Sequence, residues 1–103
     1  MNIELYLLKS FFNYAFFSQH RDSLDVAFLK QNNPDLYRVF LTVALFHETF
    51  PGQNCSAADL EVFHQSQFPA TSKRGTEELT LLYRKLDEIK ADPGVATDYF
   101  VEH

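Results

Sequence analysis

The stretch "NNPDLYRVFLTVALFHETFPGQ", residues 32–53, constrains this chain more than any other part of it. Asn33 suits an N-cap, Pro34 the first helical position, and Asp35 places a favourable charge in the first turn. Pro51 and Gly52 supply a stop. Between those signals, Leu36, Val39, Phe40, Val43, Ala44, Phe46 and Phe50 cover most of the helix circumference. The polar side is a single line through Asp35, Arg38, Thr42 and Thr49. A surface helix needs only one apolar stripe. This one is therefore expected at the centre of a bundle, its remaining sides covered by the rest of the chain or by a partner.

The flanking segments also read as helices. A strongly apolar stretch over 2–17 presents Leu5, Leu8, Phe12 and Phe16 one way, while Leu7, Phe11, Tyr14 and Ala15 widen its apolar surface. A short helix over 23–31 turns Leu24, Phe28 and Ala27 inward. Ser56, with Asp59 three residues on, opens a helix to about residue 67 in the manner of a capping box. Thr76 is the expected cap of another, to about residue 90, with Leu79, Leu82, Leu86 and Ile89 on its inner face. After "ADPG", the closing "VATDYFVEH" starts one more helix. No strand-like alternation persists. The expected fold is all-α, a small orthogonal bundle of five to six helices forming one domain over 1–103. Its abrupt end fits either a fragment of a longer protein or a chain whose last turn frays.

At 103 residues the chain can bury one thin core. Eleven Phe and five Tyr are an unusual share, which fits either a Phe-rich core or an interface that takes some of those rings. A net charge of −5 argues against a surface that grips phosphate backbones, so strong direct nucleic-acid binding is not expected. Cys55 is alone, which excludes an internal disulfide and suits a reducing cytosol. No apolar run approaches the ~20 residues a membrane span requires. The opening segment reads as a helix of the folded domain rather than a signal sequence, because Glu4 and Lys9 interrupt it and no small-residue cleavage site follows.

Catalytic, metal and cofactor sites are all expected to be absent. "HETF" at His47 lacks the second His of a zinc-protease helix. His47 and His64 fall on separate helices with no acidic or Cys ligand placed beside them by spacing, and read as surface or half-buried imidazoles. Cys55 precedes a helix start but has no assigned base, so a buried or incidental thiol is expected. No G-x-x-x-x-G-K-[ST] loop is present. Carboxylate pairs such as Glu77 and Glu78 complement helix charge. What remains for function is surface.

Several segments in order are similar to the N-terminal domain of DnaB-type hexameric replicative helicases, especially the divergent versions of T4-like phages. "ELYLLKSFF" over 4–12 follows that family's opening, with Lys9 where Gly is common. "DVAFLKQNNPDLYRVF" places Phe28, Pro34, Tyr37, Arg38 and Phe40 in matching positions. "GQNCSAADLEVF", "ELTLLYRKLDEI" and "DYFVEH" follow in the family's order and spacing. The resemblance implies a non-catalytic domain of a DNA-replication enzyme. Such domains form a collar that holds a hexamer together and present surfaces to primase and, in some systems, a helicase loader; in a phage-encoded case they work in the host cytoplasm. The helicase-binding domain of primases shares the arrangement and is the first alternative; a small acidic phage protein that binds a host enzyme is the second. Helical phase assigns Leu5, Leu8, Phe12, Phe28, Val39, Phe40, Val43, Leu82 and Leu86 to the core. It leaves Leu7, Phe11, Tyr14, Tyr37, Leu41 and Leu45 as interface candidates for a homo-oligomer or a partner.

Overall fold

The computed structural model describes residues 3–22 and 24–90; the helix expected over the last nine residues lies outside them. Six helices follow in order: α1 (Ile3–Ser10), α2 (Tyr14–His20), α3 (Val26–Asn32), α4 (Pro34–Thr49), α5 (Ala57–Gln67) and α6 (Lys73–Glu88). The described residues contain no strand, and the class is a small all-α bundle, as the pattern predicts. None of these helices is long and apolar enough to cross a membrane.

α4 is the hub. It packs against α1, α3 and α5, while α6 closes the bundle against α1 and α5. Its boundaries fall where the capping signals put them. Asn33 Oδ1 accepts from the Leu36 amide, Pro34 opens the helix, and Gly52 turns the chain away at a φ of 85°. Leu36, Val39, Phe40, Thr42, Val43, Phe46 and His47 are all buried. At 100° per residue they fill one broad arc of the helix. The chain itself therefore covers that arc of the helix and leaves the opposite side partly open.

The expected single helix over 2–17 is two. After Ser10 the backbone tightens, with the amides of Phe12 and Asn13 donating to the carbonyls of Lys9 and Ser10, three residues back. Asn13 then caps α2 by accepting from the Phe16 amide at 3.0 Å. A continuous helix would spread its Phe residues round the circumference. The break instead lets Phe11, Phe12, Phe16 and Phe17 all enter one core.

Other assignments are corrected in the same way. Leu7 and Phe11, expected at an interface, are 3% and 0% exposed and belong to the core. Phe28, expected inside, is 56% exposed. Asp25 caps α3, so the helix starts later than expected and buries Leu29. Ala27 is exposed and Leu24 half-buried. Thr42, assigned to the polar side of α4, is buried, its hydroxyl donating to the Arg38 carbonyl at 2.8 Å. Leu5 and Leu82 pack at the core's edge rather than within it. Ser72 caps α6 a turn before Thr76, whose hydroxyl donates back to the Ser72 carbonyl.

Candidate functional site

Three places hold chemistry or exposed apolar surface. The first lies at the C-terminal end of α4, where the α4–α5 loop crosses the α1–α2 break. His47 is 2% exposed, and its Nε2 lies 2.7 Å from the Phe11 carbonyl. A carbonyl only accepts, so Nε2 carries the proton and Nδ1 a lone pair. Nδ1 is buried with no hydrogen-bond partner. The ring stacks on Phe17 at 4.5 Å and meets Tyr14 edge-on at 5.4 Å. Burial lowers the His47 pKa from the ordinary imidazole value, against the opposing pull of the Phe11 and Gln53 backbones.

Cys55 Sγ lies 3.6 Å from His47 Nε2, a pairing that sequence spacing did not place. It resembles a thiol–imidazole dyad only in proximity. The Nε2 proton already faces the Phe11 carbonyl, so that nitrogen has no lone pair to take the thiol proton. Burial, helped by the charge of Asp59, pushes the Cys55 thiol up to about 12. Nucleophilic chemistry needs the opposite shift. A structural thiol and a structural imidazole are what this geometry makes.

The second place is a groove of about 710 Å³ between the start of α4, the end of α5 and α6. Leu36, Leu79 and Leu82 line it, with Arg38, Lys85 and His64 among its polar groups. His64 is 5% exposed, and its Nδ1 is 2.9 Å from the Tyr83 hydroxyl. Burial, aided by the nearby Arg38, lowers the His64 pKa, and burial raises that of Tyr83. The groove's acids are engaged: Asp35 with Arg38 at 3.3 Å and Glu78 with Arg74 at 3.1 Å. No carboxylate pair is thus poised for acid–base work there. His47 and His64, expected at or near the surface, are both core residues. Among the described residues no cluster of three or more His, Cys, Asp or Glu could hold a metal ion.

The third place is apolar surface. Tyr37, Leu41 and Leu45, at i, i+4 and i+8, run along α4 opposite its buried arc and stay half-buried. Charged groups flank this line: Lys30 Nζ lies 5.7 Å from the centre of the Tyr37 ring, and Arg21 pairs with Glu48 at 3.8 Å. Tyr14 is half-buried beside His47. Four of the six interface candidates therefore retain accessible surface, and Leu7 and Phe11 do not. Sequence phase missed Phe28, Phe50, Val62 and Leu81, the large apolar residues with most exposure. Phe50 stands over Phe46 and Phe63 at 5.1 and 6.0 Å between ring centres.

No family model, no curated protein and no solved structure matches this chain.

Proposed function

We propose that this domain acts through protein–protein contact, as a non-catalytic helical module that associates with copies of itself and docks partner proteins. The observation that carries the reading is the line of Tyr37, Leu41 and Leu45 on the hub helix. It is a half-exposed apolar line on the outer face of that helix, and it is rimmed by charge. Apolar patches with polar rims are characteristic of interaction surfaces. The neutral Cys55–His47 pair and the engaged acids of the groove favour this reading over an enzyme.

The sharpest form of the proposal follows the likeness of the sequence to N-terminal domains of DnaB-type helicases. The module would then sit in the collar of a replicative helicase, holding subunits together and meeting primase or a loader, while a separate motor handles ATP and DNA. The order of the "ELYLLKSFF", "DVAFLKQNNPDLYRVF" and "ELTLLYRKLDEI" segments supports it.

Light scattering of the purified chain across a range of concentrations tests the self-association. A concentration-dependent rise in mass is expected. The double substitution Leu41→Glu with Leu45→Glu abolishes it while leaving the helical circular-dichroism signal within about a tenth of wild type, since surface changes cost little stability. A chain that stays monomeric throughout, or a double variant that associates as before, refutes the assignment of this surface. Pull-down with a cognate primase then tests the replicative form separately.

A further inference from the structure

We propose that His47 is an acid-sensitive latch, holding residues 53–55 of the α4–α5 loop against the α1–α2 break while neutral and loosening them when it gains a proton. The inference is independent of the reading of the α4 surface.

The latch follows from what a broken helix leaves behind. Breaks strand carbonyls and amides that no helical partner satisfies. Here three long-range bonds collect them. His47 Nε2–H donates to the Phe11 carbonyl at 2.7 Å, the Cys55 amide donates to the Phe12 carbonyl at 2.8 Å, and the Tyr14 amide donates to Asn54 Oδ1 at 2.9 Å. Two adjacent loop residues, Asn54 and Cys55, are thus tied to the break, and His47 ties α4 to it beside them.

The imidazole can do this only as a neutral group at low cost. Its free nitrogen, Nδ1, is buried without a partner among rings: Phe17 stacked at 4.5 Å, Tyr14 at 5.4 Å and Phe46 at 6.0 Å. A second proton would place a buried charge there, with only the Phe11 and Gln53 main chains to offset it. α5 brings Asp59, which is exposed and acts on the Cys55 thiol but is not among the causes of the His47 shift. The other titratable and charged neighbours do not supply a compensating anion. α2 brings the Tyr14 phenol and the buried His20, which lies against Phe16. Its C-cap, Arg21, has its guanidinium 5.0 Å from the Phe17 ring centre. The loop brings the neutral Cys55 thiol, and α1 brings Lys9, held 4.9 Å from the Phe12 ring centre. α4 brings Glu48, which is exposed and paired with Arg21. The carboxyl end of α4 and the Phe11 and Gln53 main chains do favour the cation, but burial outweighs them in setting the direction of the His47 shift. Opening the loop lets water reach Nδ1 and removes the penalty.

Nuclear magnetic resonance on the whole chain tests this between about pH 7 and about pH 5. The His47 ring is expected to titrate below 6.5, the ordinary imidazole value. Over that range the protection of the Cys55 and Tyr14 amides, corrected for intrinsic exchange, falls about tenfold, whereas that of the Tyr83 amide in α6 does not. His47→Gln keeps a donor for the Phe11 carbonyl but gains no proton, and it removes the pH response. A His47 ring titrating at or above 6.5, an equal loss at the Tyr83 amide, or an unchanged response in H47Q overturns the latch. If H47Q does not fold, the wild-type ring titration and the comparison of amides decide the matter by themselves.

Discussion

Cys55 is the residue whose chemistry depends most on the fold around it. In the sequence it precedes a helix start, where the dipole would lower its pKa, and no base stands near it. In the structure a histidine is beside it and the shift runs the other way. Long-range placement decides both, and local spacing carries no information about it: the Phe11 carbonyl that orients His47 lies 36 residues away. Raising the thiol from 9.0 to about 12 removes roughly a thousandfold of the thiolate present at neutral pH. Native Cys55 should therefore react with a disulfide reagent at least about a hundredfold more slowly than in urea-unfolded chain, measured by thiol absorbance. His47 and His64 set the pH dependence. Both have folded pKa values lowered by burial, so below 6.5 the unfolded chain binds more protons than the folded one. Their contribution is complete above 6.5 and is lost as pH falls from there toward the folded values. Urea midpoints should accordingly drop between about pH 7.5 and pH 5.5, and a flat or rising profile would contradict the burial of both rings.

Helix boundaries were legible where a capping residue coincided with a change in apolar pattern. Asn33 with Pro34, and Ser56 with Asp59, meet that condition, and α4 and α5 begin where their signals stand. Asn13 does not, because apolar residues continue on both sides of it and the 3.6-residue pattern runs on. Ser72 was hidden by the more conventional Thr76, and Asp25 by a plausible start two residues earlier. Each of the three missed caps accepts an amide of its own first turn: Phe16, Gly75 and Phe28. The α1–α2 break thus rests on a side chain, which makes it sensitive to a small change. Asn13→Ala should cost about 1 kcal/mol of stability, read from urea unfolding. It should also lower exchange protection in α2 before α6 is affected. Protection lost uniformly would mean that the cap is incidental to the break.

At the scale of the whole molecule, the question posed by the hub helix has a divided answer. The chain buries seven residues of α4 and leaves a line of three half-covered. The core that does so is organised around Phe11, fully buried, with ring centres of Phe16, Phe40 and Phe17 at 5.1, 5.8 and 6.2 Å. Helical phase placed Phe11 outside and Phe28 inside, because it assumed one straight helix before residue 17 and an earlier start to α3. The two residues therefore test the architecture against its nearest alternative. Phe11→Ala opens a cavity where three helices and the break converge, and should cost about 3–5 kcal/mol. In a single thin core that loss is a large fraction of the total stability. Phe28→Ala removes a ring that is 56% exposed and should stay within about 0.5 kcal/mol of wild type. A continuous first helix reverses the order of the two costs, so the pair of denaturation curves distinguishes the folds even if each absolute value is shifted by the denatured state.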